Sequence, residues 1–291
     1  MKILLTGSNG QLGFELRRSL APLGTVQAIG SVDCDLGDEP ALRSLIRAFR
    51  PTVVVNPAAY TAVDAAEGDI LRATAVNARA PGILAEEAER LGAKLIQFST
   101  DYVFDGRKTA PYVETDTPSP LNVYGQTKWA GEKAVQEACS RHLILRTSWL
   151  LGAQGKNFAR TLLRLAAERD ELAVVADQQG APTSAALLAD VTAELLRQDL
   201  GGLYHATAGG ETTWHAYACH IVERARNAGR PVRVARDAIL AISTAEFPTP
   251  ARRPANSCLN TRSLRRASGL ELPPWQVGVD SVLDQLFETT K

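Results

Sequence analysis

The fold of this chain is decided by its opening residues, Lys2-Ile3-Leu4-Leu5-Thr6-Gly7-Ser8-Asn9-Gly10-Gln11-Leu12-Gly13. A short apolar run leads directly into three glycines spaced G-x-x-G-x-x-G, and an amphipathic segment follows. Glycine allows a positive φ angle and a close approach of the backbone to a ligand. A strand that turns on such glycines into a helix places the helix N-terminus against a pyrophosphate. The stretch therefore predicts a dinucleotide-binding turn built on Gly7, Gly10 and Gly13.

The rest of the first half alternates strand and helix patterns. The predicted strands are short and almost wholly apolar, at residues 3–6, 25–29, 52–56, 94–99 and 142–147. The predicted helices between them are residues 11–20, 39–49, 70–90 and 123–138. Apolar strands joined by helical crossovers are typical of a parallel sheet covered on both faces. We therefore expect a doubly wound, Rossmann-type α/β fold.

After about residue 150 this alternation loosens. The predicted helices there are residues 158–169, residues 185–198, and a segment capped by Thr213 that ends near residue 227. Stretches rich in proline and glycine surround them, at residues 247–256 and 269–275. We expect a dinucleotide-binding domain over residues 1–150. Residues 151–291 are expected to form a smaller, irregular lobe that mainly binds substrate, with residues 184–207 or so returning to the first domain.

Composition and charge argue against several functional classes. The chain has 32 lysines plus arginines and 32 aspartates plus glutamates, so no net charge draws it to nucleic acid or to an anionic membrane. No signal peptide is visible, and no apolar run is long enough to span a bilayer. The four cysteines and four histidines are scattered without metal-ligand spacing. This pattern favours reduced thiols in a cytoplasmic protein and no metal site.

The end of the second predicted strand bears on the choice of cofactor. A dinucleotide fold usually carries a carboxylate there, which binds the ribose 2′-hydroxyl of NADH, whereas this chain reads Ala28-Ile29-Gly30-Ser31. Without that charge a 2′-phosphate is not repelled, yet no arginine is adjacent in sequence to attract it. We expect NADPH as the cofactor with NADH also accepted, and the preference stays open. Asp35 and Leu36, slightly later, are candidates to contact the adenine.

Tyr124-Gly125-Gln126-Thr127-Lys128 contains a candidate proton donor. Tyr124 and Lys128 lie one turn apart on a predicted helix, so they share one face. The lysine, an oxidised nicotinamide ring and a helix N-terminus each stabilise a phenolate, and we expect them to lower the tyrosine pKa from its usual value of about 10. A donor whose pKa approaches the working pH suits general acid catalysis. Together with the glycine turn, the pair indicates a nicotinamide-dependent oxidoreductase.

Two further segments follow predicted strands, at the edge where doubly wound sheets bind ligands. Asn56-Pro57-Ala58-Ala59-Tyr60-Thr61 comes after the third strand, and Phe98-Ser99-Thr100-Asp101-Tyr102 spans the end of the fourth. We expect both segments to line the cofactor cleft. Thr100 then offers a hydroxyl and Asp101 a carboxylate near the reacting centre. A turn hydroxyl and a structural carboxylate are the alternative interpretations of these two residues.

Longer motifs resemble one enzyme family. They include Ser99-Thr100-Asp101-Tyr102-Val103-Phe104-Asp105-Gly106, together with residues 10–13, 56–64, 120–128, 146–149, 177–183 and 253–257. These motifs extend over nearly the whole chain and resemble dTDP-4-dehydrorhamnose reductase, a family of the extended short-chain dehydrogenase/reductases. The resemblance implies NAD(P)H-dependent reduction of dTDP-4-dehydro-6-deoxy-L-mannose at C4. The product is dTDP-L-rhamnose, a sugar donor for cell-surface polysaccharide such as lipopolysaccharide.

The resemblance also implies residue roles. Tyr124 is the proton donor, Lys128 binds the cofactor, and Thr100 tunes the tyrosine or polarises the keto oxygen. The residues expected along the cofactor are Gly7, Gly10, Gln11, Leu12, Gly13, Asp35, Leu36, Ala59, Tyr60, Thr61, Phe98, Tyr124 and Lys128. Those expected to contact the dTDP-linked 4-keto-6-deoxy sugar are Thr100, Asp101, Tyr102, Trp149, Asn157 and Arg253. Arg252 and Arg253 are the candidates for its pyrophosphate.

Two alternatives to this function stay open. Another nucleotide-sugar reductase or 4-epimerase of the same superfamily would share the Tyr124 and Lys128 pair. A regulatory subunit of methionine adenosyltransferase, which resembles this family, binds NADP without needing ketosugar turnover. An intact set of Thr100, Tyr124 and Lys128 favours an enzyme.

The chain departs from its family at a metal site. Some of these reductases are described as dimers bridged by magnesium through three glutamates, and carboxylate oxygens are ligands that this ion prefers. Glu15 matches the first position, but Ala186 and Gln285 stand at the other two. One carboxylate cannot assemble such a site. We expect no magnesium site, and a monomer or a weak dimer without a bridging metal.

Overall fold

The computed structural model describes residues 1–288. Its strands are β1 (Lys2–Leu5), β2 (Thr25–Ala28), β3 (Val53–Asn56), β4 (Lys94–Thr100), β5 (His142–Thr147), β6 (Leu150–Leu151), β7 (Leu172–Val175), β8 (Gln179–Gly180), β9 (Thr183–Ser184), β10 (Gly202–His205), β11 (Thr212–Thr213) and β12 (Ile239–Ile242). Its α-helices are α1 (Gln11–Leu20), α2 (Glu39–Phe49), α3 (Val63–Ala66), α4 (Ile70–Thr74), α5 (Ala80–Leu91), α6 (Val123–Ala138), α7 (Phe158–Glu168), α8 (Ala185–Arg197), α9 (Trp214–Asn227), α10 (Arg262–Ser268) and α11 (Trp275–Glu288).

The central sheet is parallel, with the strand order β10-β5-β4-β3-β1-β2. The chain passes from β1 to β2 on one side and then crosses to β3 on the other side. The order therefore reverses between β1 and β3, and doubly wound folds bind their ligands at the carboxyl ends of strands beside such a reversal. The expected doubly wound α/β fold is confirmed.

Alternate residues of the central strands pack against opposite helical layers, as the pleat of a strand requires. Ile3 and Leu5 are fully buried with Leu16 of α1 and Leu188 of α8. Leu4 is equally buried on the other face, in a cluster formed with α2 and α5. Since both faces of β1 are covered, the glycine turn that follows it is held on a rigid base.

The long helix predicted over residues 70–90 is interrupted. It divides into α4, a π-helical turn at Ala75–Arg79, and α5. Pro81 has no N–H to donate to the carbonyl of Asn77, four residues earlier, which accounts for the widened turn. The Asn77 side chain then accepts from the Tyr60 backbone N–H at 2.8 Å and donates to the Tyr60 carbonyl at 3.1 Å. The interruption thus ties α4 and α5 to the loop after β3.

The second half forms a smaller cluster and also returns to the sheet. Buried residues of α7, α9 and α11 pack together around Tyr217. Strand β10 pairs with β5, and α8 packs against α1, so residues 185–205 pack with the first half of the chain. The division of the chain near residue 150 stays a prediction. Within residues 1–288, the longest apolar helices are too short or too polar to cross a membrane.

Candidate active site

The glycine turn joins β1 to α1 and is shaped to receive a phosphate group. Gly7 has a φ of 55°, and a Cβ there would lie 2.8 Å from Ala58 Cα. A Cβ on Gly13 would lie 2.0 Å from the Gly7 carbonyl oxygen. Gly10 precedes α1 at its N-cap position and supplies no side-chain cap, so the first N–H groups of the helix are available to an anion. These residues fit the pyrophosphate of a dinucleotide.

A cleft of about 550 Å³ lies at the carboxyl ends of β1, β2, β3 and β4. All the residues that the sequence predicts along the cofactor line it, from Gly7 to Lys128. Of the predicted sugar contacts, Thr100, Asp101 and Trp149 also line the cleft, whereas Tyr102, Asn157 and Arg253 do not. The structure thus assembles most of the predicted site, and the role of each residue stays a prediction.

Tyr124 is positioned by the start of α6. Asn122 caps this helix by accepting from the Gly125 N–H at 2.8 Å, and its own amide donates to the Arg252 carbonyl at 2.7 Å. The ring of Tyr124 packs edge-on against Tyr102, with centroids 5.7 Å apart. A Cβ on Gly125 would lie 2.1 Å from the Tyr102 carbonyl oxygen. The missing side chain at Gly125 therefore lets α6 approach the end of β4.

The pKa of Tyr124 shifts in the direction opposite to the sequence-based expectation. Burial raises the pKa of this phenol, the charge of Asp101 raises it further, and a hydrogen bond with Thr100 lowers it. Lys128, which was expected to lower the pKa, is not among these causes. Tyr124 therefore holds its proton at neutral pH, which is the form that a proton donor requires.

Lys128 is buried at 4% exposure, and its Nζ donates to the Phe98 carbonyl at 2.7 Å. Burial lowers the pKa of Lys128 to about 8, although the charge of Glu132 raises it in part. Glu132, one turn further along α6, accepts from the guanidinium of Arg146 at 2.8 and 2.6 Å. Lys128 is thus held against β4, and its charged and neutral forms are about equally populated near pH 8.

Asp101 is the buried carboxyl group beside the candidate proton donor. Its exposure is 3%, and Thr100 Oγ1 donates to its Oδ1 at 3.0 Å. Burial raises the pKa of Asp101 to about 7, and hydrogen bonds from Ser257 and Thr100 reduce that rise. Thr100 therefore lies between Asp101 and Tyr124, and its role in tuning the tyrosine stays a prediction.

Trp149 lies in an aromatic stack that the sequence analysis does not predict. Its indole lies flat against Trp214, with centroids 3.7 Å apart and planes inclined by 14°. Its φ is 44°, a left-handed value that is uncommon outside glycine. A Cβ on Gly180 would lie 2.5 Å from the Trp149 ring. The indole is thus held by Trp214 and Gly180 of the second half of the chain, and no local signal in the sequence indicated the contact with Trp214.

Two predicted sugar contacts are engaged elsewhere. Asn157 caps α7 and donates to Gln11 Oε1 at 3.0 Å, and Gln11 also accepts from the Gly152 N–H at 2.7 Å. Arg253 donates to both carboxylate oxygens of Asp64, at 3.0 and 2.8 Å. Asn157 therefore connects the glycine turn to the second lobe. The pyrophosphate of the sugar nucleotide would have to compete with Asp64 for Arg253.

An arginine lies in the cleft with Asp35 and Leu36, although none is adjacent to the end of β2 in sequence. Arg72 of α4 lines the cleft and donates to the two carboxylate oxygens of Asp35 at 3.0 and 2.7 Å. The two residues are far apart in sequence, so no local pattern indicated the pair. Gly30 lies close to Asn9, because a Cβ on Gly30 would be 2.5 Å from the Asn9 Nδ2.

The expected absence of a magnesium site concerns Glu15, Ala186 and Gln285. Glu15 accepts from Arg18 Nε at 3.3 Å. In the described part of the chain, no three His, Cys, Asp or Glu side chains are grouped closely enough to hold a metal ion. The absence of a magnesium requirement stays a prediction.

The parallel sheet, the glycine turn and the Tyr124 and Lys128 pair define an oxidoreductase of the extended short-chain dehydrogenase/reductase type. Comparison with known proteins narrows this class. A family model described as the RmlD substrate binding domain matches residues 1–288. A dTDP-4-dehydrorhamnose reductase of Shigella flexneri is 50% identical over 299 residues, which cover 100% of this chain and 99% of the relative. The chain belongs to the dTDP-4-dehydrorhamnose reductase family.

Solved structures agree with this assignment. A dTDP-4-dehydrorhamnose reductase from Clostridium acetobutylicum superimposes with a TM-score of 0.92 at 38% identity, over 99% of this chain and 100% of that one. The reductase of Bacillus anthracis, solved in complex with NADP, has a TM-score of 0.89 at 36% identity, over 99% of each chain. The family resemblance expected from the sequence motifs is confirmed.

Proposed function

We propose that this protein is an NADPH-dependent dTDP-4-dehydrorhamnose reductase, which reduces the C4 keto group of dTDP-4-dehydro-6-deoxy-L-mannose to give dTDP-L-rhamnose. The observation that carries the proposal is the meeting of Thr100, Tyr124 and Lys128 in the cleft formed by the glycine turn. NADPH would lie along this cleft with its pyrophosphate on residues 7–13, and it supplies a hydride to C4. NADH is accepted as well, because the end of β2 bears no feature that excludes it.

The proton for the sugar oxygen comes from Tyr124. Its raised pKa keeps the phenol protonated until the C4 oxygen gains negative charge. The hydride and this proton together convert the C=O group to CH–OH. The phenolate left behind is stabilised by a hydrogen bond from Thr100, whose hydroxyl has to turn toward it from Asp101, and it regains its proton from solvent. Lys128, held by its hydrogen bond to the Phe98 carbonyl, binds the nicotinamide ribose.

The remaining sugar contacts follow from burial and shape. Asp101, with a pKa raised to about 7, is partly protonated at neutral pH and can donate a hydrogen bond to a sugar oxygen. The indole of Trp149, held by Trp214, offers a flat apolar surface to the sugar ring or its methyl group. Tyr102, Asn157 and Arg253 lie around the cleft and complete the contacts as the nucleotide sugar binds.

The proposal also covers the cellular location, the oligomeric state and the partners of the enzyme. We expect a cytoplasmic protein, since both substrates are phosphorylated nucleotides made inside cells. It acts as a monomer or as a weak dimer without a bridging metal, because Ala186 and Gln285 lack the carboxylates that would join Glu15. Nucleic acid and membranes are not among the proposed partners.

The test is a direct assay with the purified protein, NADPH and the dTDP-linked 4-keto sugar, followed through the absorbance of the reduced nicotinamide. The GDP-linked 4-keto sugar serves as the matched comparison. Oxidation of NADPH that depends on the dTDP sugar, with formation of dTDP-L-rhamnose, is the expected result. Preference for the GDP sugar would favour the rival reductase. Tight NADP binding without turnover of either sugar would favour a regulatory subunit.

A further inference from the structure

The adenosine end of the cleft contains one cation that the proposed chemistry does not use. Arg72 lines the cleft beside Asp35 and Leu36. Among the described residues that line this cleft, the other cation is Lys128, which lies with Tyr124 at the reacting end. A dinucleotide whose nicotinamide reaches Tyr124 and whose pyrophosphate lies on the glycine turn extends its adenosine toward the end of β2. Arg72 is therefore at the half of the cofactor where NADPH and NADH differ.

The surroundings hold the guanidinium in one place. The Gly37 backbone N–H donates to Asp35 Oδ1 at 2.8 Å, and Arg72 binds both oxygens of the same carboxylate. A Cβ on Gly37 would lie 2.4 Å from Arg72 Nη1, so the missing side chain leaves room for the guanidinium in this position. The hydrogen bond from Arg72, with that from Gly37, lowers the pKa of Asp35. The carboxylate is thus charged at neutral pH and anchors the guanidinium.

The anchored guanidinium keeps donors for a second anion. Arginine carries five N–H groups in one plane, and the contacts with Asp35 engage Nη1 and Nη2 once each. The side chain is 43% exposed, so the remaining N–H groups have access to a ligand. A planar guanidinium matches phosphate oxygens well and binds them more strongly than it binds neutral acceptors.

Carboxylates near the end of β2 determine how much negative charge Arg72 has to balance there. Gly30 has no side chain, and Asp33 Oδ2 accepts from the Gly30 N–H at 2.7 Å. Asp33 lines a separate groove with Ser44 and Phe49 rather than the cofactor cleft. Asp35 is the carboxylate in the cleft at this end, and Arg72 neutralises it. Asp33, beside Gly30, and Asp69, whose charge also acts on Arg72, add further negative charge. Arg72 is the cation at this end of the cleft that has to outweigh them when a phosphate binds.

We propose that Arg72 binds the 2′-phosphate of the cofactor and determines the preference for NADPH over NADH. The inference rests on the proposed function, since it concerns the cofactor of the same site. Asp35 limits the strength of the effect, because it already uses part of the guanidinium. NADH, which lacks the 2′-phosphate, is therefore bound more weakly but is not excluded.

The experiment measures binding without turnover. Calorimetric titration of the whole protein with 2′,5′-ADP and with ADP compares two probes that differ only in the 2′-phosphate. Arg72→Ala should weaken 2′,5′-ADP binding by roughly 10- to 100-fold, the effect of losing hydrogen bonds to a charged group, and should leave ADP binding unchanged. Arg72→Lys should retain an intermediate preference. The preference of the unchanged protein should fall as salt is added, because exposed charges are screened.

Arg79→Ala is the matched control, since Arg79 is an exposed arginine that follows α4, pairs with Glu39 at 3.5 Å and does not line the cleft. It should preserve the preference for 2′,5′-ADP. Equal binding of both probes to the unchanged protein, or an equal loss of both in Arg72→Ala, would overturn the proposal. Thermal unfolding of each variant shows whether it is folded. Because the titrations use no ketosugar, their outcome does not depend on whether the protein has the proposed reductase activity.

Discussion

Replacement of Asp101 by asparagine should stabilise the protein, and by more at high pH than at low pH. Asp101 is buried, and its pKa is raised from its ordinary value of 3.8 to about 7. Between these two values the folded protein keeps a proton that the unfolded chain has released. The free energy of unfolding therefore falls as the pH rises through this window, and it levels off once both states are ionised. Asparagine removes that dependence.

The magnitude follows from the width of the window. The free energy of unfolding falls by about 1.4 kcal/mol for each pH unit in which only the folded state holds the proton. Between about pH 5 and about pH 8, the stabilising effect of Asp101→Asn should thus increase by about 3 kcal/mol. Turnover should fall at the same time, because the proposed sugar contact is changed. The substitution would then trade activity for stability.

The assay is urea unfolding of both proteins at the two pH values, with Glu87→Gln as the control. Glu87 is as deeply buried, but hydrogen bonds from Arg47 and Arg43 lower its pKa from 4.5 to about 2. The ionised Glu87 stabilises the folded protein at pH values above the pKa that this residue has in the unfolded chain. This stabilisation is lost only at lower pH. Glu87→Gln should therefore destabilise by a similar amount at both pH values. An effect of Asp101→Asn that does not change with pH would refute the reasoning.

Three further predictions concern chemistry, cofactor and metal. Tyr124→Phe should lower turnover by about 10²- to 10⁴-fold, the usual contribution of general acid catalysis, and should leave NADP binding nearly unchanged in a direct titration. Tyr217→Phe, at a buried tyrosine outside the cleft, is the control and should keep full activity. Near-normal turnover in Tyr124→Phe would contradict the assignment. Gly30→Asp should shift the kcat/KM preference toward NADH, since the new carboxylate repels a 2′-phosphate and the flexible Asn9 amide can move aside. An unaltered preference for NADPH would show that the end of β2 does not determine the choice of cofactor. EDTA should change neither activity nor the gel-filtration volume, and inactivation reversed by magnesium would disprove the interpretation of Glu15.

The sequence by itself determined the elements whose signals are local. The bounds of α1, α2 and α6 are as predicted, because their starts depend on neighbouring residues. Asp38 and Asn122 cap α2 and α6 by accepting from N–H groups three residues ahead, at 3.0 and 2.8 Å. The glycine turn is equally local, and the apolar strands specify a parallel sheet through burial on both faces. The lining of the cofactor cleft follows, since a parallel sheet brings its strand ends to one edge.

Only the tertiary structure decided the properties that depend on distant partners or on burial. The pair of Arg72 with Asp35 and the stack of Trp149 on Trp214 join residues far apart in the chain, which no local pattern encodes. The direction of the Tyr124 pKa shift was wrong in the sequence-based expectation, because proximity to Lys128 suggests a lowered value while burial raises it. Desolvation acts through every atom packed around a group, so its balance against nearby charges exists only once the chain has folded.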